Sequence, residues 1–90
     1  MKLSYDPEKR RRTLVERGLD FEDVALVFAG LHFTRPDLRR DYGEDRFIST
    51  GMLRDRLVIC VWTPRDGGRR IISMRKADDD EQEEFAQRLG

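Results

Sequence analysis

The stretch Arg56–Thr63 reads RLVICVWT and decides the fold of this chain. Its apolar run from Leu57 to Trp62 is short, β-branched and aromatic, which is typical of a strand covered on both faces. The next residues, Pro64–Gly68, read PRDGG and predict a tight turn. Arg69–Arg75 then reads RRIISMR and predicts a further strand. We therefore expect residues 56–63 to lie inside an antiparallel sheet, next to residues 69–75.

Strict alternation along residues 69–75 would assign their side chains to two faces of the sheet. On this basis one face is expected to carry Arg69, Ile71, Ser73 and Arg75, and the other Arg70, Ile72 and Met74. A preceding strand is expected at Arg46–Leu53, which reads RFISTGML. Leu3–Tyr5 and Leu31–Phe33 are further short candidates for strands.

Three segments carry helix signals. Asp6 and Pro7 are typical of an N-cap and a first helical position, so a helix is expected over residues 7–17. Residues 21–29 place apolar side chains at helical spacing, which predicts a second helix. A capping-box pattern at the start of residues 78–88 predicts a third helix near the end of the chain.

Together these elements predict one small α+β domain over residues 1–90. We expect an antiparallel sheet of three to four strands, with two N-terminal helices and a C-terminal helix. The length of 90 residues suits a single domain of this kind and is too short for two.

The charge of the chain is balanced overall but unevenly distributed. Residues 78–84 contain six acids, whereas residues 1–77 contain 17 basic and 12 acidic residues. Fifteen of the 18 basic residues are arginine, whose guanidinium fork binds phosphate in a bidentate manner. This composition indicates a surface for a polyanion together with a separate acidic patch, although a solvated, salt-bridged surface gives the same pattern.

Several classes of protein are excluded or disfavoured. No apolar run approaches the ~20 residues of a membrane-spanning helix, and residues 1–6 lack the apolar stretch of a signal peptide. One cysteine, Cys60, and one histidine, His32, make neither a disulfide scaffold nor a Cys/His zinc site. We therefore expect a cytoplasmic protein that has no membrane partner, no metal site and no cofactor.

Four segments in order resemble motifs of the BrnT toxin family. They are YDPEK at residues 5–9, GLDFEDV at 18–24, EDRFI at 44–48 and IISMRKA at 71–77. The resemblance covers nearly the whole chain, from Leu3 to Phe85, because the four segments are spread along it. Two positions depart from the family pattern, since the family often has Asn in place of Thr13 and His in place of Arg17.

The resemblance implies a type II toxin with a RelE-like fold. Such a toxin is a metal-independent endoribonuclease that cleaves RNA and blocks translation. Its expected partner is a BrnA-like antitoxin with a ribbon-helix-helix DNA-binding part, so that DNA is contacted only through the toxin–antitoxin complex.

Two other functions stay open. One is a catalytically inactive RelE-like binding module that acts with its antitoxin in operon autorepression, which the Arg17 departure favours. The other is a stand-alone nucleic-acid-binding domain.

The matched segments also supply candidate site residues. Arg75 and Lys76 end the last strand and are expected to hold a phosphate, while Arg46 begins its strand two residues after Glu44. Glu44 is the candidate base, with an exposed ion pair to Arg46 as the alternative reading. The predicted catalytic set is Arg75, Glu44, Arg46 and Lys76, and the predicted RNA-binding set is Arg70, Ser73, Lys9 and Arg12.

Overall fold

The computed structural model describes residues 2–89, which form a five-stranded sheet with helices on both faces. The elements in chain order are β1 (Leu3–Tyr5), α1 (Pro7–Arg17), a 3₁₀ turn (Phe21–Asp23), α2 (Val24–Ala29), β2 (His32–Pro36), β3 (Phe47–Leu53), β4 (Arg56–Arg65), β5 (Gly68–Lys76) and α3 (Asp79–Leu89). The strand order across the sheet is β1-β5-β4-β3-β2. The α+β class and the central position of β4 are therefore confirmed.

The predicted sheet of three to four antiparallel strands is wrong in two respects. The sheet has five strands, and it is mixed, because β1 pairs with β5 in parallel while β2–β3, β3–β4 and β4–β5 are antiparallel. β1 lies 63 residues before β5, with the N-terminal helices and three other strands between them, whereas the antiparallel neighbours are consecutive strands along the chain. Local sequence patterns reveal a strand but not which distant strand it will join.

Two cores lie on opposite sides of β4. Val58 and Cys60 face the first core, beneath the N-terminal helices, which also contains Leu19, Phe21, Val24, Val27, Leu53, Ile71 and Met74. Ile59 and Val61 face the second core, which also contains Ile48 and Ala77. The prediction that β4 is covered on both faces is confirmed.

A β-bulge in β5 corrects the predicted alternation. Cys60 pairs with Met74, but Trp62 pairs with Ile71, so the register shifts by one residue at this point. Ile71 and Met74 consequently belong to the same core, although strict alternation would place them on opposite faces. Side chains before the bulge therefore lie on the face opposite to the predicted one.

Helix α1 forms as expected, but polar contacts hold it in place. Asp6 caps its start, and Gly18 ends it with a left-handed φ of 68°. Its apolar side chains Leu14 and Val15 are 45% and 73% exposed and do not anchor it. The anchorage comes from Arg10, whose fork pairs with Asp20 at 2.7 and 3.0 Å.

The second predicted helix divides into a 3₁₀ turn and the six-residue α2. Helix α2 packs closely on β3 because Gly51 leaves room for it. A Cβ atom at Gly51 would lie 2.8 Å from the Cβ of His32 and 2.9 Å from Cγ1 of Val27.

Helix α3 covers part of the opposite face. The capping box is confirmed, since the Asp78 carboxylate accepts from the Glu81 amide at 2.8 Å and the Glu81 carboxylate accepts from the Asp78 amide at 2.9 Å. Phe85 stacks on Phe33 of β2 with ring centroids 6.3 Å apart. Within residues 2–89, no helix has the length and apolarity needed to cross a membrane.

Candidate functional site

The sheet face that carries α3 displays arginines from three segments of the chain. Arg75 and Arg70 come from β5, on either side of the bulge, and Arg35 comes from β2. Arg39 and Arg46 come from the segment between β2 and β3. We call this surface the arginine face. The bulge contributes to it directly, because Arg70 pairs with Thr63 and Ser73 pairs with Val61, which places Arg70 on the same face as Arg75.

A concave site of about 290 Å³ lies in the middle of this face. We call it the arginine cleft; its lining residues are Arg35, Arg39, Ile48, Ile59, Val61, Ser73, Arg75 and Glu81. Its floor is apolar and its walls are charged. An anion bound against such a floor would be partly shielded from water, which strengthens its attraction to the arginines.

Arg75 and Glu81 form a bidentate ion pair in the wall of the cleft. The two guanidinium nitrogens of Arg75 donate to the two carboxylate oxygens of Glu81 at 2.7 and 2.8 Å. These hydrogen bonds are the main reason why the pKa of Glu81 falls from 4.5 to about 2, and the capping bond from Asp78 acts in the same direction. Glu81 is therefore ionised at neutral pH and is a poor proton acceptor.

Arg39 is fixed from below by a buried acid. The Asp37 side chain is fully buried, and Arg39 donates to its two oxygens at 2.8 and 2.7 Å. This pairing with Arg39 holds the pKa of Asp37 well below its usual range, and a hydrogen bond from Tyr42 adds to the effect. Because Asp37 sets the position of Arg39, the cation is held at the wall of the cleft with limited freedom.

Arg35 completes the cationic wall. It pairs with Ile48 in the sheet register and its positive charge contributes to the low pKa of Glu81. Within residues 2–89 it makes no hydrogen bond or ion pair to another side chain. Its guanidinium donors are therefore available to a ligand in the cleft.

The predicted pair Glu44–Arg46 lies at the rim of the cleft. Arg46 donates to Glu44 at 3.0 Å and lies over the Tyr42 ring at 4.0 Å, while Arg65 approaches Glu44 at 3.4 Å. Tyr42 connects this rim to Arg39 and Asp37 through hydrogen bonds. The positions on β4 that neighbour Arg46 and Arg75 are four residues apart. At 3.3 Å per residue, this separates the two positions by roughly 13 Å.

A second cleft adjoins the first. It has a volume of about 260 Å³ and is lined by Lys9, Arg12, Thr13, Glu16, Arg17, Ile72 and Ser73. We call it the helix cleft, because α1 supplies most of its wall. Ser73 lines both clefts, so the two form one path across β5. The structure thus brings three of the predicted RNA-binding residues, Lys9, Arg12 and Ser73, next to Arg75.

Two predicted residues lie outside this path. Lys76 lines a separate cleft with Asp55, Arg56, Leu57, Ala77 and Gln82. Arg70 lies on the arginine face but is not among the residues that line the two clefts.

Comparison with known protein families identifies the family to which this chain belongs. The family model of the ribonuclease toxin BrnT, of type II toxin–antitoxin systems, matches residues 5–81. The chain belongs to the BrnT toxin family. No curated protein matches the chain significantly.

The toxin places its only histidine away from the arginine face. His32 donates from Nδ1 to the carbonyl oxygen of Gly30 at 2.9 Å, and its ring meets Phe28 edge-on at 5.2 Å. Both contacts are on the side of the sheet that α2 covers. Among residues 2–89, no three His, Cys, Asp or Glu side chains cluster together.

Sequence reasoning missed four residues of the toxin's cleft. Arg35, Asp37 and Arg39 belong to the segment RPDLRR, for which the sequence patterns predict neither an element nor a site. Two arginines within two residues of one acid were the available signal. Glu81 was identified as a capping residue but not as the partner of Arg75, because that contact joins a strand end to a helix start.

Proposed function

We propose that this toxin cleaves RNA at the arginine cleft without a metal ion and that it thereby blocks translation. The observation that carries the proposal is the convergence of Arg35, Arg39 and Arg75 on one cleft. They come from β2, from the segment after it and from β5, so the fold brings together cations that are far apart in the sequence. Guanidinium forks are the groups best suited to a phosphodiester.

The chemistry that we propose relies mainly on positioning and charge. Cleavage needs removal of a 2′-hydroxyl proton, stabilisation of a phosphorane and protonation of the leaving oxygen. Arg75 and Arg35 would stabilise the negative charge on the phosphoryl oxygens. The carboxylate of Glu81 now occupies the Arg75 fork and keeps it in the orientation that a phosphate would require. A bound phosphate would replace it.

Glu44 is the proposed base and Arg46 its partner. Glu44 would accept the 2′-hydroxyl proton of the nucleotide whose phosphate contacts Arg75 and Arg35, which requires that hydroxyl to lie within hydrogen-bond reach of Glu44. Solvent water would protonate the leaving 5′-oxygen. Glu44 and Arg46 lie at the rim, so the RNA would run along the strand direction from Arg75 towards Tyr42. Upstream or downstream phosphates would follow the helix cleft past Ser73. Lys76 and Arg70, which lie outside the two clefts, remain proposed RNA contacts beyond them.

The proposed partner is a BrnA-like antitoxin with a ribbon-helix-helix part. Type II toxins act together with a protein antitoxin, and the family match places this chain among them. We propose that DNA is contacted only by the complex, through the antitoxin, and that the toxin has a RelE-like fold.

One observation favours a second function. Both Arg75 and Arg39 are already paired with carboxylates, and Arg17 stands where the family often has His. A toxin with these features and without activity would serve as a binding module that helps its antitoxin to repress their operon.

RNA cleavage by the purified toxin in excess EDTA tests the proposal. We expect cleavage of single-stranded RNA that is lost in the double variant Arg35→Ala/Arg75→Ala. Arg11→Ala is the matched control, because Arg11 is exposed on α1 and pairs only with Glu8. Cleavage that requires a divalent metal would contradict metal independence. A folded toxin that never cleaves RNA, but that strengthens operator binding by its antitoxin, would establish the second function instead.

A further inference from the structure

An aromatic surface surrounds Arg69 on the other side of the sheet. The guanidinium carbon of Arg69 lies 3.9 Å from the ring centroid of Phe28 and 4.8 Å from that of Trp62. Phe28 meets Trp62 edge-on at 5.9 Å, and Phe47 stacks on the outer side of Trp62 at 5.0 Å. We call these four residues the aromatic shelf. Trp62 is also fixed by a 2.8 Å hydrogen bond to the hydroxyl of Ser49, so the shelf is rigid.

Arg69 separates two clefts that adjoin this shelf. The larger, of about 480 Å³, is lined by Lys2, Trp62, Pro64, Gly67, Gly68 and Arg69. The smaller, of about 400 Å³, is lined by Ala25, Phe28, Ala29, His32 and Arg69. No carboxylate is among these lining residues, and their charged members are both cationic. This contrasts with the arginine cleft, where Glu81 is part of the wall.

Exposed apolar side chains extend the same surface. Leu26 is 47% exposed and lies three residues before Ala29 on α2, so the two share one side of the helix. Leu31 is 68% exposed and directly precedes His32. An exposed apolar patch with aromatic residues and an arginine at its centre has the composition of a protein–protein hot spot.

We propose that the aromatic shelf is the anchoring site for a segment of the antitoxin that carries both apolar and acidic side chains. The charge complementarity argues for this occupant, because the two clefts present Arg69 and Lys2 and no acid. An apolar side chain of the partner would lie in the cleft beside Phe28 and Ala25, and its carboxylate would meet Arg69. The inference rests on the proposed function only in that it needs an antitoxin.

The position of the shelf has a consequence for regulation. It lies on the side of the sheet that α2 covers, whereas the arginine cleft lies on the side that α3 covers. An antitoxin anchored on the shelf would leave the arginine cleft to be closed by another part of the same partner. Binding and silencing are then separable functions of the antitoxin.

Two matched substitutions of alanine by glutamate, one beside the aromatic shelf and one on α3, test the proposal. Ala25→Glu introduces a bulky acid beside Arg69 and suits the first turn of α2, where the helix dipole favours negative charge. Ala86→Glu is the control, since Ala86 is exposed on α3. The probe is the full-length antitoxin encoded beside the toxin gene, and its affinity is measured by titration calorimetry, with circular dichroism as the check on folding. RNA cleavage is measured in parallel.

We expect Ala25→Glu and Arg69→Gln to weaken antitoxin binding by at least about tenfold, the ~1.4 kcal/mol scale of one lost interface contact. Ala86→Glu should leave the affinity unchanged, and all three variants should retain their RNA cleavage. Unchanged affinity in both shelf variants overturns the proposal, as does an unaltered toxin that does not bind this antitoxin. Loss of RNA cleavage with normal antitoxin binding would make the shelf a platform for RNA bases, and loss of a toxin dimer would make it a self-association surface. Failure of cleavage in every protein, with the binding pattern intact, would contradict only the proposed function.

Discussion

The two faces of the sheet use arginine in different ways. On the arginine face, Arg75 and Arg39 are paired with the carboxylates of Glu81 and Asp37. On the aromatic shelf, Arg69 lies against the rings of Phe28 and Trp62. A carboxylate is an anion that a phosphate can replace, whereas an aromatic ring fixes the plane of the guanidinium. This difference is the basis for proposing an anion site on one face and a docking surface on the other.

The largest expected effect is on the rate of RNA cleavage, which should depend on the arginine face and not on the aromatic shelf. Arg75→Ala should lower the rate of RNA cleavage by ~10²–10³-fold, which is typical when one preorganised charge donor is removed. Arg75→Lys should restore only part of the rate, because a point charge cannot replace the bidentate fork. Arg69→Ala should keep the rate close to that of the unaltered toxin. Single-turnover cleavage assays measure all three, and equal losses in Arg75→Ala and Arg69→Ala would remove the distinction between the faces.

The next effect concerns stability, to which the aromatic shelf should contribute more than the arginine face. Trp62 contacts Phe28 and Phe47 and donates a hydrogen bond to Ser49. Because Trp62 is half-buried, Trp62→Ala should lower the free energy of unfolding by about 2–3 kcal/mol, somewhat less than for a fully buried tryptophan. Arg75→Ala should change it by less than about 1 kcal/mol, since its ion pair is partly exposed.

Urea unfolding monitored by circular dichroism provides this measurement, and Trp62→Phe is the matched control that keeps an aromatic ring. A smaller loss of stability in Trp62→Ala than in Arg75→Ala would show that the contacts of Trp62 contribute less to stability than the Arg75–Glu81 ion pair.

The smallest effect concerns acid stability. The pKa of Glu81 is lowered from 4.5 to about 2 in the folded toxin, so its pairing stabilises the fold above pH 4.5 and is lost as the pH falls towards 2. Glu81→Gln preserves a capping-box side chain but removes the charge. The unaltered toxin should therefore lose on the order of 1 kcal/mol more stability than Glu81→Gln between about pH 5 and pH 2.5. Parallel pH profiles from urea unfolding would contradict this role of Glu81.

Much of the fold could be predicted from local patterns. The apolar run at Leu57–Trp62 fixed the central strand, and the Asp6–Pro7 cap and the Asp78–Glu81 box marked the starts of α1 and α3 within one residue. The parallel pairing of β1 could not be predicted, because a strand of three residues carries no signal for a partner more than 60 residues away. The anchorage of α1 could not be predicted, because it comes from the ion pair of Arg10 with Asp20 while Leu14 and Val15 are exposed.

The site could be predicted only where a strand end carried the signal. Arg75 and Ser73 were identified because they belong to a matched segment, and the structure places both in the arginine cleft. Arg35 and Arg39 were missed because their convergence with Arg75 depends on the pairing of β2 with β3, which is a tertiary property. Glu44 was chosen from its neighbour Arg46, and sequence proximity did not show that both would lie at the rim.

The extra residue in β5 reverses the alternation of side chains between the two faces of the sheet within a single strand. Regular alternation would place Arg75, Ser73 and Ile71 on one face of the sheet. Because the register shifts between Val61 and Trp62, Arg70 instead of Ile71 lies on that face, and Arg69 lies on the aromatic shelf. One residue therefore distributes two adjacent arginines between the two faces of the sheet. Deleting Ile72 would remove the bulge and keep both arginines on their present faces, whereas a regular strand that retained Ile72 would place Arg69 on the arginine face and Arg70 on the opposite one.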